Sequence, residues 1–357
     1  MKVMPAFLVA GVLSVSGQAA PTPLTPERLA RLLSGWQAVG VLPASIEPVQ
    51  IALPAGRPTG SGSALSTRID PNAQQVQFTA DAQQAVYVRD GSVYVYELKT
   101  GFSRHLAWGR TARLASGGGA VLVGDGNSFR AHDIGSGRSI FIGWGKDAWI
   151  SGDGRKALLQ EESSVSVVDV ADGRRRHLGW GMGAGISFDG KIALTGDGRS
   201  FSAVETDTGR SRFIGWGTSA VLAADGAMAL IERSGAFDSV DLATGRSRHL
   251  AWGKTAALSR DGKTALVGDG RSFSVVDVGP GSSWFLTWGT SGLLSEDGTT
   301  ALVGDGRSVR AFDTATRRDR FLGWGDAVAL SADGSKAVLR SNGWLDVVEV
   351  PKPLAAK

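Results

Sequence analysis

The 357 residues carry 38 basic and 34 acidic side chains, a formal charge of +4, and no cysteine. The missing cysteines exclude disulfides, thiolate nucleophiles and Cys-ligated zinc. The charge excess is small and mixed in sign, without the clustered basic face and aromatic platforms that nucleic-acid binding requires. Nucleic acid is therefore not an expected partner.

Residues 1–20, MKVMPAFLVAGVLSVSGQAA, read as a secretory signal peptide: Lys2, an apolar stretch, then Ala19 or Ala20 at the cleavage position. The stretch is short and rich in Gly and Ser for a membrane anchor. No cysteine follows for lipid attachment, and no later segment is apolar enough to span a bilayer. The expected location is the periplasm or the extracellular space, without stable membrane insertion.

Residues 21–63 form an N-terminal segment of a different character. PLTPERLARLLSGW predicts a short helix, with Thr25 as cap, Pro26 at the first position and Gly35 at the end. Leu29, Leu32, Leu33 and Trp36 make one apolar stripe along it. The Pro- and Gly-rich chain that follows predicts an extended linker, with a short strand at 49–53.

From there to residue 350 the sequence repeats. Trp-Gly recurs every 36 residues, at Trp108, Trp144, Trp180, Trp216, Trp252, Trp288 and Trp324, with no insertion or deletion. Counting a first unit with Asn72-Ala73 in place of Trp-Gly, there are eight units. Each holds four short apolar stretches divided by turn residues, as in WGKTAALSRDGKTALVGDGRSFSVVDVGPGSSWFLT. Asp-Gly between two apolar runs signals a hairpin, because the turn needs positive φ. Four antiparallel strands per unit, repeated radially, predict an all-β β-propeller. Leucine-rich and helical repeats fit poorly, and a linear β-solenoid is the weaker β alternative.

The last unit lacks a fourth strand and ends in the tail 351–357. Residues 64–69 match the missing strand, since Arg68 lies 36 residues before Arg104. Eight blades closed by this N-terminal strand are expected, with seven blades as the alternative.

Several columns recur. An acid precedes the turn between the third and fourth strands in every unit, from Glu97 to Glu349, and Asp recurs in the first hairpin. Both columns read as turn formers. The Trp column reads as structural, its rings lying between neighbouring blades, with exposed sugar-stacking platforms as the sharper alternative. His105, His177 and His249 alternate with Phe in one column, which argues for a packed ring and against a metal ligand. No Ser-His-Asp set, metal-ligand spacing or phosphate loop appears. No catalytic residue, metal or cofactor is assigned.

The column after Trp-Gly varies in chemistry and includes Arg110, Lys146, Lys254 and Asp326. In a propeller it lies at the rim of the central channel. Its basic members can focus an anionic group there. Gly-Asp-Gly loops, three of them followed by Arg199, Arg271 and Arg307, are expected on the same face as the Trp-Gly connections. These seven residues are the candidate ligand-binding set.

The segments LSRDGKTALVGDGRSFSVVDV and ISFDGKIALTGDGRSFSAVETDTG resemble the WD40-like propeller repeats of the TolB type, over about residues 70–350. That resemblance implies the propeller fold. It is poor for function, because such repeats occur in scaffolds, peptidase gating domains and periplasmic accessory proteins. The Trp-Gly junctions and the number of units depart from that family's usual pattern. The leading expectation is a non-enzymatic scaffold that binds an envelope or extracellular protein or peptide through its loop face and channel mouth. A carbohydrate-binding propeller with repeated inter-blade sites is the alternative, and a lyase or hydrolase with a channel-mouth site is a third.

Overall fold

The computed structural model describes residues 67–351. The chain divides into Met1–Gly35 and Trp36–Lys357, and every described residue belongs to the second unit. The expected signal peptide, helix and linker, and all of the tail but Pro351, lie outside the described residues.

Eight four-stranded antiparallel sheets form the blades. In seven of them the strands are consecutive in sequence. Blade 6, for example, comprises Thr255–Leu258, Thr264–Gly268, Ser272–Asp277 and Ser282–Trp288, from the innermost strand to the outermost. The eighth takes its inner three strands from the C-terminal end (Asp326–Leu330, Lys336–Ser341, Trp344–Glu349) and its outermost from Thr67–Ile69. There Arg68 pairs with Asp346 and Ile69 with Leu345. The ring is closed with eight blades, as the spacing of Arg68 and Arg104 predicts, and the seven-blade alternative is overturned. Closure covers the outer edge of the three C-terminal strands and keeps the short innermost edges inside the ring.

The second strand of each blade is sandwiched between neighbours and is apolar on both faces. Its centre is a column of eight residues, Val86, Leu122, Leu158, Leu194, Leu230, Leu266, Leu302 and Val338, all at most 2% exposed. The preceding position is Ala in seven blades and Val121 in the other, and is fully buried throughout. Small-beside-large alternation at a fixed register lets adjacent twisted sheets interdigitate. The core is thus a ring of inter-blade clusters. One joins Leu194 and Phe201 of blade 4 to Ile231 and Val240 of blade 5, and another joins Ile69 and Leu345 to Tyr87 across the closure.

The turns follow their sequence signals. In the first hairpin, Ser151 Oγ donates to Asp153 Oδ1 and accepts the Lys156 N–H, while Asp153 Oδ1 accepts the Arg155 N–H. The same network recurs around Asp189, Asp261, Asp297 and Asp333. After the third strand, Asp133, Asp169, Asp241 and Asp313 accept backbone N–H groups. Glu97 and Glu205 instead accept a threonine hydroxyl. These carboxylates are turn formers, as their regular recurrence implies.

Outer strands are tied to the next blade by arginine. Arg212 donates to the Leu242 and Ala243 carbonyls at 2.9 and 2.7 Å, and Arg248 to the Val278 carbonyl at 2.7 Å. Arg104 does the same with Ile134. A Cβ at Gly245 or Gly281 would overlap the incoming guanidinium, so glycine in the receiving turn makes room for it.

Candidate binding face

Each outermost strand ends in Trp and passes through Gly into the next blade's innermost strand. The glycine is clamped from both sides. Gly145 N–H donates to Asn127 O in the loop between the second and third strands of its own blade, and Lys146 N–H donates to Gln160 O of the next. A Cβ on Gly145 would come within 2.5 Å of that Gln160 carbonyl oxygen. Equivalent bonds run from Gly109, Gly181, Gly217, Gly253, Gly289 and Gly325. They place the Trp-Gly junctions and the Gly-Asp-Gly loops on one face, here the upper face. The sequence expectation for these loops holds.

The tryptophans do not lie between blades. All seven are exposed, from 61% at Trp216 to 78% at Trp108 and Trp180, which corrects the structural reading of this column. A β-bulge causes the difference. In blade 2, Phe129 faces Gly143 and Arg130 faces Phe141, leaving Ile142 as an extra residue. The bulge recurs in the third–fourth strand pair of blades 1 to 7. Without it, residues three apart on a strand would point to opposite faces. With it, Ile142 turns into the core while Phe141 and Trp144 share the outer surface.

Every rim tryptophan therefore meets the His or Phe three residues before it, with ring centroids 5.0–5.8 Å apart and planes inclined by 57–67°. The His/Phe column is packed on one side and open on the other: Phe213 is 54% exposed.

Arg110, Lys146, Lys254 and Asp326 are exposed at or beside the upper starts of the innermost strands, and Arg199, Arg271 and Arg307 in the loops beside them. All seven sit on the same face. Lys146 lies 4.0 Å from Glu162, a solvent-exposed pair. The loop acids hold the turns: Asp197 Oδ1 accepts the N–H groups of Arg199 and Ser200, which lowers its pKa, and Asp269 and Asp305 are set the same way.

Inside the channel, the innermost strands present Leu114, Ile150, Ile186, Leu222 and Leu258 around a cavity of about 370 Å³. Three successive blades break this apolar wall. Gln77, Arg113 and Trp149 occupy a column that holds Gly185, Val221 and Ala257 in the next three. Arg113 pairs with Asp147 at 3.0 Å, donates to the Ala148 carbonyl and stacks 4.8 Å from the Trp149 ring centre. Burial pushes the Arg113 pKa down and the Asp147 pKa up, each opposed by the attraction of its partner. Trp149 is 8% exposed, and its indole N–H has no hydrogen-bond partner. A buried donor without an acceptor is costly, and this one belongs to a cavity-lining residue. Sequence reasoning missed Gln77, Arg113 and Trp149. The available signal was the run of large polar and aromatic residues in a column that is small or aliphatic elsewhere.

At the lower face, Phe188 from the first hairpin of blade 4 crosses the channel mouth. Its ring lies over Gly152 of blade 3, where a Cβ would overlap it, and reaches toward Gly117 of blade 2. On the other side Arg260 of blade 6 sits 4.4 Å from the ring centre and is held by Glu296 at 2.6 Å. Blades 2 and 6 are opposite on an eight-blade ring, so Phe188 and Arg260 bridge the lower opening.

Among the described residues no cluster of three His, Asp or Glu is placed to hold a metal ion. No described helix is long and apolar enough to cross a membrane.

Fold and face are those of an eight-bladed β-propeller scaffold whose upper face is compatible with a protein-interaction surface. No protein-family model matches the chain, and no curated protein matches it. Solved structures do. Dipeptidyl peptidase 4 of Porphyromonas gingivalis is similar with a TM-score of 0.56 and 10% identity, over 76% of this chain and 56% of that one. This chain thus spans just over half the length of that enzyme. An oligogalacturonate lyase from Vibrio parahaemolyticus is similar with a TM-score of 0.50 and 12% identity, over 80% of this chain and 93% of that one. An oligogalacturonate lyase in complex with manganese gives 0.49 and 13%, over 79% and 92%. At these identities the likeness is one of fold.

Proposed function

We propose that this is a non-enzymatic periplasmic or secreted propeller, of the TolB-type WD40-like kind, that binds a protein or peptide across its upper face and at the channel mouth. The observation that carries this reading is convergence. All seven candidate residues and the loops that carry them lie on the face into which the channel opens. Closed backbone geometry holds those loops before any partner arrives, so little ordering entropy is lost on binding. Arg110, Lys146 and Lys254 attract an acidic segment, and the cavity below accepts an apolar side chain. The signal-like residues 1–20 support the location.

The test is affinity capture from envelope extract with the mature protein, followed by rate measurements on the recovered partner. The Arg110→Ala/Lys146→Ala/Lys254→Ala variant should slow association and flatten its salt dependence. Val221→Trp, which fills the cavity, should speed dissociation several-fold. Unchanged rates in both variants would refute binding at the mouth.

A further inference from the structure

The exposed rim carries a second site that the channel reading does not use. The glycine of each Trp-Gly pair has a structural reason, the carbonyl of the next blade pressed against it. The tryptophan has none that packing supplies. Its ring is held only from the side, by one His or Phe, and shows most of its surface to water. Large exposed apolar side chains are a liability unless they bind something.

Blade 8 shows that the feature is not a by-product of copying the repeat. Its outermost strand is Thr67–Ile69 and stops short of position 72, which is Asn. At the start of its third strand stands Trp344, where blades 1 to 4, 6 and 7 have Ser and blade 5 has Ala236. In blades 1 to 7 that position is the cross-strand partner of the rim tryptophan. Trp344 is 44% exposed, and Arg68 lies 5.4 Å over its ring in place of the second aromatic. The missing station is rebuilt from the neighbouring strand, and the rim carries eight.

The arrangement restricts the occupant. Stations spaced around the circumference of a rigid ring suit a flexible polymer, which can run from one to the next. Charge restricts it further. The loops beside the rim set one acid next to one base in sequence, Asp197 and Arg199, Asp269 and Arg271, Asp305 and Arg307, so the rim, unlike the channel mouth, has little net charge with which to attract a polyanion. Polar groups lie across the strand from the His or Phe: Ser202 and Ser274, Arg130 and Arg310, and Asp238; the counterpart in blade 3, Ser166, is buried. An indole face beside an inclined second ring, with hydroxyl and charged hydrogen-bonding groups close by, suits a pyranose. The C–H face of the sugar stacks on the indole, and its equatorial hydroxyls meet the polar groups.

We infer that the rim is a multivalent site for a neutral, β-linked polysaccharide of all-equatorial hexopyranose units, each aromatic station holding one short stretch. Each station binds weakly. Chains long enough to span several gain about 10²- to 10⁴-fold by effective concentration.

The test uses the full mature protein, with cellohexaose, chitohexaose and laminarihexaose in calorimetry and fluorescence titration, and soluble β-glucan in affinity electrophoresis. Expected are several equivalents of hexasaccharide per chain, a tryptophan fluorescence change on binding, and at least tenfold tighter binding of the polymer. The Trp144→Ala/Trp216→Ala/Trp252→Ala/Trp288→Ala variant should lose polymer retention by more than tenfold with an unchanged melting temperature. If that variant folds poorly, Trp216→Ala alone should lower the number of hexasaccharide equivalents by one. No response to any of the three hexasaccharides at millimolar concentration overturns the proposal, as does equal polymer retention by the variant. Tryptophan-dependent self-association in sedimentation, or tryptophan-dependent binding to phosphatidylcholine vesicles, without saccharide binding, also overturns it and reassigns the rim to a second copy or to a membrane.

Discussion

At the scale of single residues, the Trp-Gly pair joins two unlike requirements. The glycine answers to backbone crowding and the tryptophan does not. Trp216→Ala should therefore change unfolding free energy by no more than about 0.5 kcal/mol, the usual range for a surface substitution. A tryptophan packed between blades would cost about 3–5 kcal/mol, so a urea titration separates the two cases. Leu158→Ala, at a fully buried position of the Leu column, should cost about 2–5 kcal/mol in the same assay. The repeat period made the Trp column obvious but not its direction. Periodicity reports that positions are equivalent, and equivalent positions can all be buried or all be displayed. Direction is set by the bulge at Ile142 and its counterparts. The only trace of it in sequence is the small residue between the bulge and the rim tryptophan, Gly143, Gly179, Gly215 or Gly323 in four blades.

At the scale of the element, turns and inter-blade ties were read unequally. The Asp turns were legible, because Asx geometry is local and depends on residues two or three apart. Their chemistry has a consequence for pH. Backbone N–H groups of Asn127, Ser136 and Arg199 are the leading cause that lowers the pKa of Asp125, Asp133 and Asp197, and Asp269 and Asp305 behave alike. A carboxylate lowered in the folded state adds stability that is complete above its unfolded pKa of about 3.9 and is lost as pH falls through the folded value. Stability should thus hold down to about pH 4 and fall steeply below it, with a cooperative acid transition by circular dichroism. Stability that rises between pH 4 and 2 would contradict this. The arginine ties join residues about 30 positions apart and were not legible, since Arg is ordinary on an outer strand. Arg212→Ala should cost about 1–2 kcal/mol by chemical denaturation, from two lost charge-assisted bonds that are partly open to solvent.

At the scale of the whole molecule, ring closure was legible from one coincidence of spacing, Arg68 against Arg104, and the structure bears it out. Ile69 carries the test, being 1% exposed and packed in the cluster that joins the two ends of the ring. Ile69→Ala should cost about 2–5 kcal/mol, as at any core position. In a seven-blade ring this residue would lie outside the core, and the substitution would cost under about 0.5 kcal/mol. The channel interior was less legible. Gln77, Arg113 and Trp149 interrupt an otherwise small or aliphatic column, and only the assembled ring brings strands from three units together around one cavity.

Rim and core make opposite demands on tryptophan, and acrylamide quenching of the intrinsic fluorescence of the folded protein measures which demand prevails. Trp149 is buried, whereas the seven rim tryptophans and Trp344 are open to solvent. The predicted result is a large majority of the emission quenched, with efficiency close to that of the unfolded chain and a small protected remainder. Emission that is mostly protected in the folded state and becomes accessible only on unfolding would mean that the repeated tryptophans are packed between the blades after all.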